Sequence, residues 1–140
     1  APPPVAVPDA QAADFVSQAI ADHAVVMFAL QWCEFCWAVR KLLARLGIAF
    51  SSVDVDAAPL QAHDLGTRVR AELKARTGAA TMPQIWIAGQ HVGGAMDLFA
   101  ALRTGRLPGL LAAAGVACDP ATRVDPEEFL PKWLHPRKTA

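Results

Sequence analysis

The sequence predicts an α/β fold in which one mixed sheet of four strands has helices on both faces. A wholly apolar, β-branched run at 24–28 is typical of a strand that is buried on both faces. From Phe35 onward the apolar period becomes that of a helix, and Gly47 ends this helix as its C-cap. A strand-like segment at 84–87 is followed by a tight turn at 88–90 and by residues 91–92, which predicts a β-hairpin. These three features determine the predicted fold class.

Helical and extended patterns fill the rest of the chain and allow the strand directions to be predicted. Crossover connections are right-handed, so the first two strands are expected to be parallel, and the short turn makes the last two antiparallel. This arrangement is the thioredoxin fold. The other predicted elements, in chain order, are a helix over 9–21, a strand over 48–55, a helix over 67–76, a helix over 97–103 capped by Asp97, and a turn or helical extension over 107–114.

Composition limits the classes of function. The 140 residues suffice for one domain, and the 54 % of apolar residues can form a full core. Thirteen basic residues balance thirteen acidic ones, so neither a nucleic-acid partner nor an acidic tail is expected. The sequence has no apolar run of membrane-spanning length and no signal segment, and we expect a soluble chain without a membrane partner.

Three segments follow from the pattern along the chain. We predict a Pro-rich leader or linker at 1–8, a folded domain at 9–115 and a C-terminal tail at 116–140. The first residue is Ala, which suggests that the chain was cut or is a piece of a longer one. In the tail, Phe129 and Trp133 either pack on the domain or bind a partner, and packing on the domain is the favoured interpretation.

The three cysteines do not form a disulfide scaffold of the secreted kind. Cys33 and Cys36 lie three apart where the buried strand gives way to a helix, whereas Cys118 is distant and is expected to be a bystander. A dithiol that cycles between states works in a reducing compartment, so a cytoplasmic location is expected.

The spacing of Cys33 and Cys36 suits thiol–disulfide exchange. At the start of a helix, unpaired N–H groups and the helix dipole stabilise a thiolate at Cys33. Cys36, one turn further, can attack a mixed disulfide at Cys33 and release the substrate. The alternative is a zinc site, which needs four ligands, and no second cysteine pair or histidine spacing supplies them. We therefore expect no metal.

The sequence resembles the dithiol glutaredoxins over roughly residues 22–115. Segment 27–36, MFALQWCEFC, is similar to the active-site segment of that family. Later motifs follow in the same order and spacing: Thr77-Gly78, TMPQIWI at 81–87, GQHVGG at 89–94 and Asp97-Leu98.

The resemblance implies a cis Pro83 that lies against the nucleophilic cysteine and leaves the backbone of Met82 open to a substrate. It also implies that the first turn of the helix after Gly93 and Gly94 binds a carboxylate of glutathione. For Phe35, packing into the core is an equal alternative. The substrate- or glutathione-binding positions implied are Trp32, Phe35, Arg40, Thr81, Met82, Pro83, Gly94, Ala95, Met96 and Asp97.

Departures from the family pattern weaken the glutathione assignment. Polar or basic partners of glutathione are replaced at four positions, which hold Leu30, Ala79, Ala80 and Met96. Arg40 and Arg76 are the side chains that would compensate. Glu34, where the family has Pro, places a carboxylate beside the thiolate, and we expect a more reducing couple than in the usual member.

The resulting interpretation is a glutaredoxin-like thiol–disulfide oxidoreductase that serves electron transport. Cys33 and Cys36 are the catalytic residues, the substrates are protein disulfides or glutathione mixed disulfides, and glutathione is the reductant or cosubstrate. We expect a monomer. Fusion to, or docking on, a sulfur-metabolism enzyme such as a cysteine synthase is a further hypothesis. Two alternatives stay open: a redox-regulated protein-binding module, and an iron–sulfur carrier ligated by Cys33 and glutathione across a dimer.

Overall fold

A computed structural model describes residues 9–118 and 124–130. Four strands form one sheet in the order β2-β1-β3-β4. The elements are α1 (Ala10–Asp22), β1 (Val25–Ala29), α2 (Glu34–Arg45), β2 (Ser51–Asp54), 3-10 turns at Ala58–Leu60 and Ala62–Asp64, α3 (Leu65–Thr77), β3 (Gln84–Ile87), β4 (Gln90–Gly93), α4 (Ala95–Arg103), α5 (Leu107–Ala113) and a last 3-10 turn at Pro126–Phe129.

The predicted strand directions are confirmed. β1 pairs in parallel with β2, and β3 is antiparallel to both β1 and β4. The β3–β4 hairpin turns through Ala88 and Gly89, whose φ angles are 51° and 77°. Two successive residues with positive φ are typical of the tight turn that matches the twist of a hairpin.

The central strand β1 contributes to a hydrophobic core on each face of the sheet. Val25, Met27 and Ala29 point to the core built with α2, α4 and α5. Val26 and Phe28 point to the opposite core, which α1 and α3 cover. All five side chains of β1 are buried, so the wholly apolar run of the sequence reflects two apolar faces.

The starts of β2 and α4 differ from the sequence prediction for identifiable reasons. β2 begins at Ser51 rather than at residue 48, because Ile48 donates its N–H to Leu43 O and completes the end of α2. α4 begins at Ala95 rather than Asp97, with Gly94 as its N-cap. The segment at 107–113 is a helix of its own, whereas the sequence left open a turn or an extension of the preceding helix.

The segment at 124–130 packs on α2 and α4. Phe129 lies against the α2-side core, and Leu130 is buried within it. Trp133 and the leader at 1–8 lie outside the described residues, and the three segment boundaries remain predictions. Across residues 9–118 and 124–130, every helix is too short or too polar to span a membrane.

Candidate active site

Cys33 stands at the junction between β1 and α2. It is the N-cap of α2, in extended conformation with φ −136° and ψ 123°, and no side chain caps the helix. Its carbonyl accepts the N–H of Trp37 at 2.9 Å, so its backbone joins the first helical turn. The positive end of the helix dipole therefore lies beside Cys33, whose side chain is partly exposed.

Two hydrogen-bonded ties fix the loop before Cys33. Arg40 donates from Nη2 to Leu30 O at 3.1 Å and to Asp54 Oδ1 at 2.7 Å. The Asp56 carboxylate accepts the N–H of Gln31 at 2.9 Å. The next residue, Trp32, is 94 % exposed, so its indole projects from an anchored backbone.

Cys36 lies one helical turn inside and is fully buried. Burial is the main reason why the pKa of Cys36 rises to about 12, and the neighbouring Cys33 side chain raises it further. At neutral pH Cys36 is therefore a protonated thiol. Nucleophilicity belongs to the thiolate, so Cys36 is a weak nucleophile in the reduced protein.

The Met82–Pro83 peptide bond is cis and lies next to Cys33, as the family resemblance implies. The Cys33 thiol lies 3.9 Å from Met82 O, to which it can donate. The N–H of Met82 has no hydrogen-bond partner among the described residues. A donor without a partner beside the thiol can bind a substrate carbonyl.

Gln84, a buried polar residue, holds the segment before this proline. Its amide nitrogen donates to Ala79 O at 2.8 Å and to Thr81 O at 3.2 Å. Its amide oxygen accepts from the Thr77 hydroxyl at 3.3 Å. One side chain thus ties the end of α3 to the segment that carries Met82.

The start of α4 lies beside the same proline. A Cβ added at Gly94 would stand 3.5 Å from Pro83 O, which shows how closely the two segments approach. The prediction that Asp97 is the N-cap of this helix is wrong: Gly94 is the N-cap and Asp97 is the third helical residue. The Asp97 carboxylate accepts the N–H of Gly94 at 2.8 Å. Gly93 has φ +122°, and any Cβ there would collide with Asp97.

The structure brings most of the predicted site together. Cys33, Cys36, Met82, Pro83 and Gly94 form a continuous set around the sulfur through the contacts described above. Among the flanking positions, Trp32, Thr81 and Met96 are exposed, and Ala95 is buried at the start of α4.

Three predicted side chains are engaged elsewhere. Phe35 is partly buried against the α2-side core, which is the packing alternative. Arg40 is occupied by its ties to Leu30 and Asp54. Arg76 donates to Glu72, to Ser17 and to the backbone of α1, so its guanidinium is not directed toward the thiol.

Sequence reasoning missed Trp37 and Gln84 as parts of the site. Trp37 is 55 % exposed although it follows the buried Cys36. Together with Gln31, Trp32, Cys33 and Glu34 it lines a groove of about 580 Å³. The available signal was its position, four residues after Cys33 and off the apolar face of α2. Within the described part of the chain, no three His, Cys, Asp or Glu side chains are grouped to hold a metal ion.

Comparisons with known proteins agree with this geometry. The glutaredoxin family model matches residues 25–92. A glutaredoxin of Pseudomonas aeruginosa is 40 % identical over 89 residues, which cover 64 % of this chain and 96 % of that protein. A wheat glutaredoxin structure superposes with a TM-score of 0.70 at 33 % identity, covering 78 % of this chain and 98 % of that one.

A buckwheat glutaredoxin–glutathione complex also superposes with a TM-score of 0.70, at 28 % identity, over 75 % of this chain and 91 % of that one. The residues that the family model matches include β1, the dithiol, the cis-proline and most of the hairpin. The chain belongs to the glutaredoxin family and is a thiol–disulfide oxidoreductase.

Proposed function

We propose that this protein reduces protein disulfides and glutathione mixed disulfides through attack by Cys33, and that Cys36 resolves the mixed disulfide. In the first step the Cys33 thiolate forms a bond to one substrate sulfur and expels the other as a thiolate. In the second step Cys36 attacks Cys33, loses its proton to solvent and releases the reduced substrate. The product is an oxidised Cys33–Cys36 pair.

One observation supports this assignment of roles above all others: the two thiols differ in burial. Cys33 is partly exposed at a helix start, whereas Cys36 is fully buried and has a pKa of about 12. A substrate can reach the first sulfur directly, and the second becomes reactive only against a disulfide that is already in place.

Glutathione is the reductant that we propose for regenerating the dithiol. The solved complex of the buckwheat relative with glutathione supports this choice. In this chain, the Met82 N–H and the first turn of α4 supply backbone donors for a peptide and a carboxylate. Because Leu30, Ala79, Ala80 and Met96 offer no charged partner, we expect weaker glutathione binding than in members that have polar groups there.

The proposal also covers the cellular location and the oligomeric state of the protein. A cycling dithiol needs a reducing environment, so we place the protein in the cytoplasm, where it acts as a monomer in thiol-based electron transport. Fractionation of cells and analytical ultracentrifugation of the reduced protein test these two statements.

The decisive experiment compares Cys33→Ser and Cys36→Ser in a glutathione-coupled reduction assay, with Cys118→Ser as the control. We expect Cys33→Ser to abolish turnover of every substrate. Cys36→Ser should abolish turnover of protein disulfides and retain activity on glutathione mixed disulfides, where glutathione itself resolves the intermediate. Activity retained by Cys33→Ser would overturn the assignment of the nucleophile.

A further inference from the structure

The groove beside Cys33 combines two exposed indoles with a carboxylate. Trp32 is 94 % exposed and Trp37 is 55 % exposed, and both line the groove with Cys33. Large exposed apolar side chains next to a reactive sulfur are unusual on a soluble surface and indicate a contact site. We call the surface formed by Gln31, Trp32, Cys33, Glu34 and Trp37 the tryptophan groove.

Glu34 carries the negative charge among the residues that line the groove. Glu34 is exposed and makes no hydrogen bond or ion pair with the described residues. At its edge, the Asp56 carboxylate accepts the N–H of Gln31. The nearby Lys41 ammonium already lies 3.5 Å from the centroid of the Trp37 ring. Because Lys41 already lies over Trp37, the groove offers a partner the exposed indole of Trp32 and the unpaired carboxylate of Glu34, a combination that attracts a cationic side chain.

This combination discriminates between two kinds of disulfide substrate. A glutathione moiety brings two carboxylates and one ammonium, so a carboxylate at Glu34 does not favour it. A protein segment with a basic residue near its oxidised cysteine gains from Glu34 and from the indoles. Lys41 over Trp37 shows that an indole on this surface accepts a cation within the chain itself.

We propose that the tryptophan groove selects, as substrate, a partner-protein segment in which a basic residue and an apolar residue flank the oxidised cysteine. The inference rests on the proposed function, because it names the preferred substrate of the same Cys33. The basic side chain lies against Glu34 and one indole, and the apolar side chain lies between Trp32 and Trp37. The disulfide exchange itself is the two-step reaction given above.

The test uses capped seven-residue peptides in which one cysteine is a mixed disulfide with 5-thio-2-nitrobenzoate. The peptides differ only in the residue beside the cysteine, which is Arg, Gln or Glu, and each has Leu on the other side. Excess reduced protein gives single-turnover rate constants from the release of the coloured thiolate. Ratios between peptides are compared within each variant, so a change in the intrinsic reactivity of Cys33 cancels.

For the wild type we expect the Arg peptide to react about fivefold to tenfold faster than the Glu peptide at low ionic strength, and the ratio to fall as salt is added. Glu34→Gln should reduce the ratio to within about twofold. Asp14→Asn, which removes an exposed carboxylate from α1 away from the groove, should leave it unchanged. Trp37→Ala should slow the Arg peptide, and Trp37→Phe should restore most of the rate.

The outcomes separate the two levels of the proposal. Equal rate constants for all three peptides with the wild type, or a ratio unaffected by Glu34→Gln, would overturn the groove as the selecting surface while leaving the dithiol reaction intact. If no peptide reacted with the wild type although the protein is reduced and folded, the proposed function would fail first.

Discussion

The sulfur of Cys33 lies 3.9 Å from the carbonyl oxygen of Met82, a residue 49 positions later in the chain. A thiol can donate to this carbonyl, but a thiolate has no proton to donate. Ionisation of Cys33 therefore frees Met82 O at the moment when the sulfur becomes nucleophilic. With the unpartnered N–H of the same residue, both backbone groups of Met82 are then open to a substrate strand.

Alkylation should distinguish the two active-site thiols. Since the pKa of Cys36 is about 12, only roughly one molecule in ten thousand has the Cys36 thiolate at pH 8. We expect iodoacetamide to modify Cys33 at least about a hundredfold faster than Cys36 in the folded, reduced protein. Mass spectrometry of the proteolytic peptides measures both rates and separates them from Cys118. Comparable rates for Cys33 and Cys36 would contradict the burial of the resolving thiol.

Replacing Gln84 should weaken both the fold and the site. Gln84→Leu removes the buried amide that donates to the carbonyls of Ala79 and Thr81 and accepts from the Thr77 hydroxyl, and losing these three bonds should cost about 1–3 kcal/mol in the free energy of unfolding. The loosened segment carries Met82, so KM for disulfide substrates should rise as well. Urea titration and steady-state kinetics measure the two effects. Gln90→Leu, at an exposed position of β4, is the control, and an equal loss in both variants would show that the amide network is unimportant.

The fold was predictable where apolar period and turn chemistry agree. β1 and α2 differ sharply in period, and Ala88 and Gly89 supply the hairpin turn, so strand directions follow from the chain alone. The start of β2 was not predictable, because Ile48 is apolar in either role and its N–H is taken by the end of α2.

At the site, the sequence indicates the chemistry better than the surroundings. The positions of Cys33 and Cys36 at a helix start follow from local spacing. The exposure of Trp37 and the triple bonding of Gln84 depend on long-range contacts that no short pattern encodes. For the same reason the sequence could not show that Arg40 is committed to Leu30 and Asp54.

Gly66 marks a close approach between α3 and the end of β2. A Cβ at this position would lie 1.8 Å from Val55 O, a backbone atom that cannot move away cheaply. We expect Gly66→Ala to lower the free energy of unfolding by about 1–3 kcal/mol. Gly109→Ala is the matched control, because its Cβ would enter open space on α5 and should stabilise by about 0.4–1 kcal/mol. Urea titration of both variants checks the prediction, which fails if the two changes have the same sign.

The Asp9–Arg68 ion pair should make stability depend on pH at the acid end. Asp9 caps α1 by accepting the N–H of Ala12 at 3.1 Å, and it accepts from Arg68 Nη2 at 2.7 Å. These two bonds lower the pKa of Asp9 from 3.8 to about 2, and the bond from Arg68 has the larger effect. The unfolded chain therefore takes up the proton at a higher pH than the folded protein does. The stabilisation is complete above the unfolded value of 3.8 and is lost as the pH falls toward about 2.

Asp9→Asn isolates this effect, because Asn still caps a helix but carries no charge for Arg68. We expect the wild type to have the higher Tm at about pH 6, and the difference to shrink steadily as the pH falls from about 4 to about 2. Asp14→Asn removes a neighbouring carboxylate of α1 that has no hydrogen bond or ion pair with the described residues, and it controls for general charge repulsion at low pH. A wild-type advantage that persisted unchanged down to about pH 2 would show that the Asp9 carboxylate does not titrate as the geometry requires.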